Sequence, residues 1–155
     1  GYFEEELNIP VYHKPQTREW NGKKFYLGHG DGLGPGDHGY KLLKKIFRNR
    51  ICQVAFSMIP SSWGMGLANY FSKRSRHANA ESDAKFLGDE KEWLVVYSKE
   101  ILEKEHFDYF VFGHRHLPLD IELKEGSRYI NLGDWIRYFT YAVFDGTTLE
   151  LKTME

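Results

Sequence analysis

Two stretches, FYLGHGD at Phe25 to Asp31 and YFVFGHRH at Tyr109 to His116, share one grammar: an apolar run, then Gly-His, then a turn. A short continuous apolar run closed by turn residues reads as a strand buried on both faces. Ligands in open α/β sheets gather at the carboxyl ends of strands. Two such ends carrying His29, His114 and His116 therefore predict an α/β fold in which three imidazoles converge. Neutral imidazole is a common metal ligand, and a neighbouring glycine lets backbone come close to a metal or a phosphate. These three histidines are the candidate metal ligands. His13, His38, His77 and His106 lack such a context and read as ordinary surface or structural residues.

Working outward, GHGDGLGPGDHG at Gly28 to Gly39 has six glycines among twelve residues, with His29, Asp31, Asp37 and His38 between them. Gly28 is expected to open the strand end to a metal at His29. Gly30 to Gly36 is expected to form a loop able to lie against a phosphate, closed by Asp37. Before it, Val11 to His13 and Arg18 to Trp20 read as short strands, and Asn21-Gly22 as a hairpin turn leading into a strand over Lys23 to Leu27. After it, helical spacing covers Tyr40 to Phe47 and about Trp63 to Lys73. A third amphipathic helix is expected over Asp89 to Glu105, capped by Asp89 with Glu92 and burying Trp93, Val96, Tyr97 and Ile101. Tyr109 to Phe112, Ile121 to Leu123, Tyr129 to Leu132, Tyr138 to Phe144 and Thr148 to Leu151 read as strands, with Asp145-Gly146 a tight turn. The pattern is strands interrupted by one long helical insertion.

The chain has 155 residues, the size of one ordinary domain, and its 41% hydrophobic content is enough to bury a core. Cys52 is the single cysteine, which excludes an internal disulfide and a cysteine-cluster zinc site and fits a reducing compartment. No apolar run approaches the ~20 residues that span a bilayer, and no signal-peptide pattern is present. The net charge of -1 hides an asymmetry: His38 to His77 carries eight Lys and Arg and no Asp or Glu. Such a block suits an anionic partner, whether phosphate, nucleic acid or lipid headgroup, although Lys41, Lys44, Lys45 and Arg48 could equally form a solvated helix face. Apolar residues interleaved with the basic ones favour a lipid surface.

HGD at His29–Asp31 and GHRH at Gly113–His116 resemble the last two signature motifs of the calcineurin-like metallophosphoesterases. HGDGLGPGD, the insertion containing KRSRHAN, the GHRH motif and NLGDW resemble the UDP-2,3-diacylglucosamine hydrolase branch over most of the chain. The resemblance implies the C-terminal part of an αββα sandwich, a single partial domain over 1–155 with a helical cap insertion at about 38–88. It implies a site for two divalent metal ions, Mn²⁺, with His29 and His114 on one and His116 on the other. Asp37, Ser75 and Arg76 match positions expected to contact substrate. The implied reaction is hydrolysis of a pyrophosphate, giving UMP and 2,3-diacylglucosamine 1-phosphate for lipid A biosynthesis. The implied setting is the cytoplasmic face of the inner membrane of a Gram-negative bacterium, with the protein bound peripherally to anionic lipid. Nucleic acid is not an expected partner. The insertion's Ile51, Val54, Phe56, Met58, Ile59, Trp63, Met65 and Phe71 would shelter acyl chains.

Of the family's early motifs, DxH and GNHD do not occur in the sequence and no GD precedes the first histidine motif; the sequence starts at Gly1 rather than Met. They supply a bridging Asp, further ligands and the catalytic His. No catalytic residue is therefore assigned within the chain, and the family order places those residues upstream of Gly1. The expectation is a C-terminal piece, inactive alone, that pairs with its missing N-terminal half or with another copy. Two alternatives stand beside this one: a metallophosphoesterase for a nucleic acid or soluble nucleotide, and a non-catalytic fragment.

Overall fold

A computed structural model describes residues 2–35, 38–83, 85–86 and 88–154, without the side chains of His38, Tyr40 and residues 74–83. The chain divides into two compact units, residues 1–30 with 98–155, and residues 31–97.

Among the described residues, the first unit holds every strand. They are β1 (Gln16–Trp20), β2 (Lys23–Gly28), β3 (Tyr109–Phe112), β4 (Pro118–Glu122), β5 (Arg128–Leu132), β6 (Thr140–Phe144) and β7 (Leu149–Thr153). A four-residue helix, α1 (Tyr2–Glu5), precedes them. One sheet runs β1-β2-β3-β5-β4, and a second is the β6-β7 hairpin. In the first sheet β2, β3 and β5 are mutually parallel, while the edge strands β1 and β4 run antiparallel to their neighbours. The expected α/β class is what the structure shows. Two stacked sheets and a helical segment between β2 and β3 are consistent with part of the expected sandwich.

The pleat explains the stacking. Side chains alternate faces along a strand. Phe25 and Leu27 therefore join Tyr109, Val111, Ile130 and Leu132 on one face of the five-stranded sheet, where they meet Ala142, Phe144, Leu149 and Leu151 of the hairpin. The opposite face is aromatic. Tyr26 lies 5.2 Å from Phe107 and 5.6 Å from Phe110 between ring centroids, and Phe112 lies 6.0 Å from Tyr129. Pairs of this kind add about 0.5–1.5 kcal/mol beyond their burial. β3 is apolar on both faces, which is why its sequence shows no alternation.

Two turns fix the edges. Asn21, at φ +50°, and Gly22, at φ +75°, join β1 to β2, and the Asn21 amide donates to the Gly146 carbonyl at 3.1 Å. Asp145 closes the β6-β7 turn by accepting from the Thr147 and Thr148 amides, each at 2.7 Å.

The second unit is helical: α2 (His38–Arg48), α3 (Arg50–Ser57), α4 (Ser61–Asp83) and the first half of α5 (Trp93–Leu102). Asn49 separates α2 from α3. Its side chain accepts from the Ile51 and Cys52 amides, which satisfies two of the open donors at the start of α3. Much of this unit's apolar surface faces solvent: Met58 is 80% exposed and Trp63 75%, and Ile51, Phe47, Leu42 and Met65 are also exposed.

The structure departs from the sequence expectations at several points, among them α4, which runs ten residues beyond the expected end at Lys73, and β4, which begins at Pro118 rather than Ile121. Residues Val11 to His13 form no strand. α5 begins at Trp93 rather than Asp89, because residues 89–91 are occupied by a turn in which the Lys91 and Glu92 amides donate to the Gly88 carbonyl. The fully buried residues of α5 are Leu94, Val95 and Ser98, whereas Trp93, Val96, Tyr97 and Ile101 are half-buried. The sequence does not predict α3, since its eight residues are too few to establish a helical period.

Candidate functional site

The parallel register sets Gly28 beside Phe112, so the next residues, His29 and Gly113, emerge level from neighbouring strand ends. The Gly113 amide donates to the His29 carbonyl at 3.1 Å. A side-chain carbon on Gly113 would sit 3.3 Å from His29 Nδ1, so glycine is what lets the imidazole lie there. The ring of His29 then meets that of His114 edge-on, with centroids 5.3 Å apart.

The GHRH turn is tight. His114 and His116 both adopt left-handed backbone, at φ +57° and +52°, on either side of the buried Arg115. Such φ values cost non-glycine residues energy and persist only where surroundings enforce them. Asn131, wholly buried on β5, supplies part of that enforcement. Its side-chain amide donates to the Gly113 carbonyl and, at 3.3 Å, to the Tyr129 hydroxyl, while its oxygen accepts from the Gly133 amide at 3.1 Å. One buried side chain thus links the end of β3 to the loop after β5.

That loop brings Asp134 to His116. Asp134 Oδ1 accepts from the Ile136 and Arg137 amides at 2.8 and 2.6 Å, and Oδ2 lies 3.9 Å from His116 Nδ1. The amide of Arg137, aided by those of Ile136 and Tyr138, holds the carboxyl below its usual pKa against the opposing effect of desolvation. His29, His114, His116 and Asp134 all line one cavity of about 690 Å³, whose walls include Phe25, Leu27, Val111, Leu132 and Phe144.

The structure therefore places the three predicted histidines on one cavity and brings His29 and His114 into ring contact. The donor types suit a divalent cation. Among the described residues, no three His, Cys, Asp or Glu side chains are grouped so as to hold a metal by themselves. Three of the expectations fall outside the described residues. One is Gly1, upstream of which the catalytic residues are expected. The others are Asp37 and the side chains of Ser75 and Arg76, expected at the substrate. One expectation about a glycine changes. The space beside Gly28 is filled by the Phe112 ring at 3.3 Å and Pro15 at 3.5 Å, so its role is packing. In the glycine loop, Gly34 takes φ +75° and a side chain there would meet the Trp93 carbonyl at 2.6 Å. Lysines of α2 hold that loop: Lys41 Nζ donates to the Gly34 carbonyl at 2.6 Å and Lys44 Nζ to Asp31 at 2.7 Å.

Sequence reasoning missed Asp134 and Asn131 as site residues. The signal was available: YINLGD repeats the apolar-run, glycine, polar-residue grammar of FYLGHGD.

The chain is similar to curated hydrolases over almost its whole length. These relatives are named UDP-2,3-diacylglucosamine hydrolase. The protein of that name from Porphyromonas gingivalis (strain ATCC BAA-308 / W83) is 36% identical over 99% of this chain and 63% of its own length. Those from Psychromonas ingrahamii and Shewanella sp. (strain W3-18-1) are 28% and 24% identical over 77% and 74% of this chain, and 49% and 46% of their own lengths. The chain thus spans between about half and 63% of the length of these relatives. No protein-family model matches it.

Proposed function

We propose that the protein is a metal-dependent phosphoesterase that hydrolyses the pyrophosphate of UDP-2,3-diacylglucosamine. The observation that carries this reading is the contact of His29 with His114 at two parallel strand ends, in a chain whose relatives bear that substrate in their name. In the proposed reaction the oxygen of water bonds to one phosphorus, and the bond from that phosphorus to the bridging oxygen breaks. UMP and 2,3-diacylglucosamine 1-phosphate leave.

Two divalent cations, Mn²⁺ in this reading, would supply Lewis-acid stabilisation of the charge on the phosphoryl group. His29 and His114 would hold one through imidazole nitrogen and His116 the other. Among the described residues no three side chains complete a cation site; the remaining ligands, a bridging carboxylate among them, are assigned to the family's early motifs. The catalytic residues are assigned there too, upstream of Gly1. Asp37, Ser75 and Arg76 are assigned to the substrate. Arg suits pyrophosphate because its planar fork pairs bidentately with phosphate oxygens.

The helices at about 38–88 are assigned the role of a cap for the acyl chains and a peripheral contact with the cytoplasmic face of the inner membrane. The exposure of Ile51, Met58 and Trp63 beside Lys45 supports this, as does the absence of acidic residues from His38 to His77. Among the described residues no helix is long and apolar enough to cross a membrane.

The test is turnover of UDP-2,3-diacylglucosamine and of its deacylated counterpart, with Mn²⁺ and with a chelator. The reading expects chelator-sensitive release of UMP by the whole protein, faster with acyl chains, and little or none by the 155-residue chain alone. Equal turnover of the deacylated compound would move a soluble nucleotide ahead as substrate. Turnover unaffected by chelation would remove the metal reading.

A further inference from the structure

His116 and Asp134 face each other with very different freedom. The His116 side chain is 63% exposed, whereas that of Asp134 is 10% exposed. The carboxylate is also pinned, because Oδ1 accepts from the Ile136 and Arg137 amides. That leaves Oδ2 aimed at His116 Nδ1 across 3.9 Å, beyond a hydrogen bond of ~2.7–3.2 Å but within reach of a small swing of an exposed ring. The loop carrying Asp134 is itself fixed. Asn131 clamps Gly133 to Gly113, so the bases of both turns are tied to one buried side chain.

We propose that Asp134 is a positioning residue for His116, accepting from its Nδ1–H and so leaving Nε2 with the lone pair turned to the site. A carboxylate is an acceptor only, so it selects the tautomer that carries its proton on Nδ1. Such partners orient a ligating imidazole and raise its basicity, and their loss typically costs about 10–100-fold in metal affinity. The tautomer half of the inference is independent of any metal. The affinity half rests on the metal-site reading of His116 given above.

The experiment follows the His116 ring nitrogens by long-range ¹⁵N–¹H correlation in metal-free protein at about pH 8.5, well above the ~6.5 of an ordinary imidazole. Wild type is expected to show mainly the Nδ1–H tautomer. Asp134→Asn keeps an oxygen for the Ile136 and Arg137 amides but can turn an N–H₂ towards Nδ1, and should move His116 mainly to Nε2–H. Mn²⁺ titration should then show about 10–100-fold weaker binding, with Asp134→Glu recovering part of it. An Nε2–H majority in wild type, or an unchanged tautomer in Asp134→Asn, overturns the proposal. The wild-type spectrum decides alone if the variant fails to fold. His116→Ala separates the two readings. Unchanged Mn²⁺ affinity there would defeat the metal assignment of His116 while the tautomer result still judges Asp134.

Discussion

Nδ1 of His29 lies 3.3 Å from the point where a side chain on Gly113 would begin, so the glycine of one histidine motif makes room for the histidine of the other. A methyl there forces the ring to give by a few tenths of an ångström. His29 is exposed and can yield, so the fold should survive. Gly113→Ala is expected to change stability by less than about 1 kcal/mol while shifting the ring away from His114. Mn²⁺ affinity of the whole protein should fall ~10-fold, as when a ligand loses its orientation. Titration calorimetry beside thermal unfolding separates the two effects, and unchanged affinity would mean that the contact carries no functional weight.

Gly133 and Gly126 have nearly the same backbone, φ +72° and +74°, in very different surroundings. A side chain on Gly133 would meet Thr140 Oγ1 at 2.5 Å, whereas nothing lies within 4 Å of one on Gly126. Both alanine variants pay for left-handed backbone, about 1–3 kcal/mol. Only Gly133→Ala must also displace Thr140, whose hydroxyl donates to the Leu132 carbonyl at 2.6 Å. Its midpoint should therefore fall several degrees further than that of Gly126→Ala in thermal unfolding. Equal losses would show that the loop after β5 relaxes freely.

Asp108 joins the start of β3 to β2. It accepts from Lys23 Nζ and from the Lys24 amide, both at 2.8 Å. Desolvation raises its pKa, but these hydrogen bonds and the Lys23 charge outweigh that and hold it below the usual carboxylate value. A depressed folded-state pKa gives stability that is present above the unfolded value and is lost as pH falls through the folded one. Asp108→Asn should therefore be less stable than wild type at neutral pH, and the gap should close as the medium is made more acid than an ordinary carboxylate pKa. Lys23 is the reverse case. Its pKa is raised by the hydrogen bond from its ammonium to Asp108, so its contribution fades only as pH rises past the ordinary lysine range. Denaturant midpoints across pH test both signs, and a gap that widens in acid would refute the assignment.

Lys44 and Lys45 are neighbours on α2 with different surroundings. Lys44 is committed to Asp31 at 2.7 Å, while the side chain of Lys45 is exposed. If the basic block docks on anionic lipid, Lys45→Ala should weaken binding to phosphatidylserine vesicles by about 1 kcal/mol, and added salt should mask the loss. Lys44→Ala should weaken it less, because that charge is already paired. Co-sedimentation at two salt concentrations checks this, and equal losses would show that the Asp31 pair opens at the membrane.

The sequence alone determined the strands that end in the two histidine motifs. Apolar runs bounded by Gly-His located β2 and β3 to within a residue, and Asn-Gly and Asp-Gly located two turns, because those signals are local. The resemblance carried by the glycine loop, the basic KRSRHAN insertion and the histidine motifs agrees with the name that the relatives bear. What needed tertiary structure was everything set by partners distant in the chain. Leu94 and Val95 are the buried pair of α5, rather than Trp93 and Val96, because burial depends on what packs against a helix and not on its own period. Gly28 serves the Phe112 ring and Gly113 serves His29, a distinction invisible in two identical Gly-His dipeptides and fixed by the parallel register of β2 and β3. Asp134 reaches His116 from a loop whose base is tied by Asn131, buried on β5, to Gly113, eighteen positions before that asparagine. Local composition selects an element, but the hydrogen-bond partners of a buried side chain are chosen by the fold.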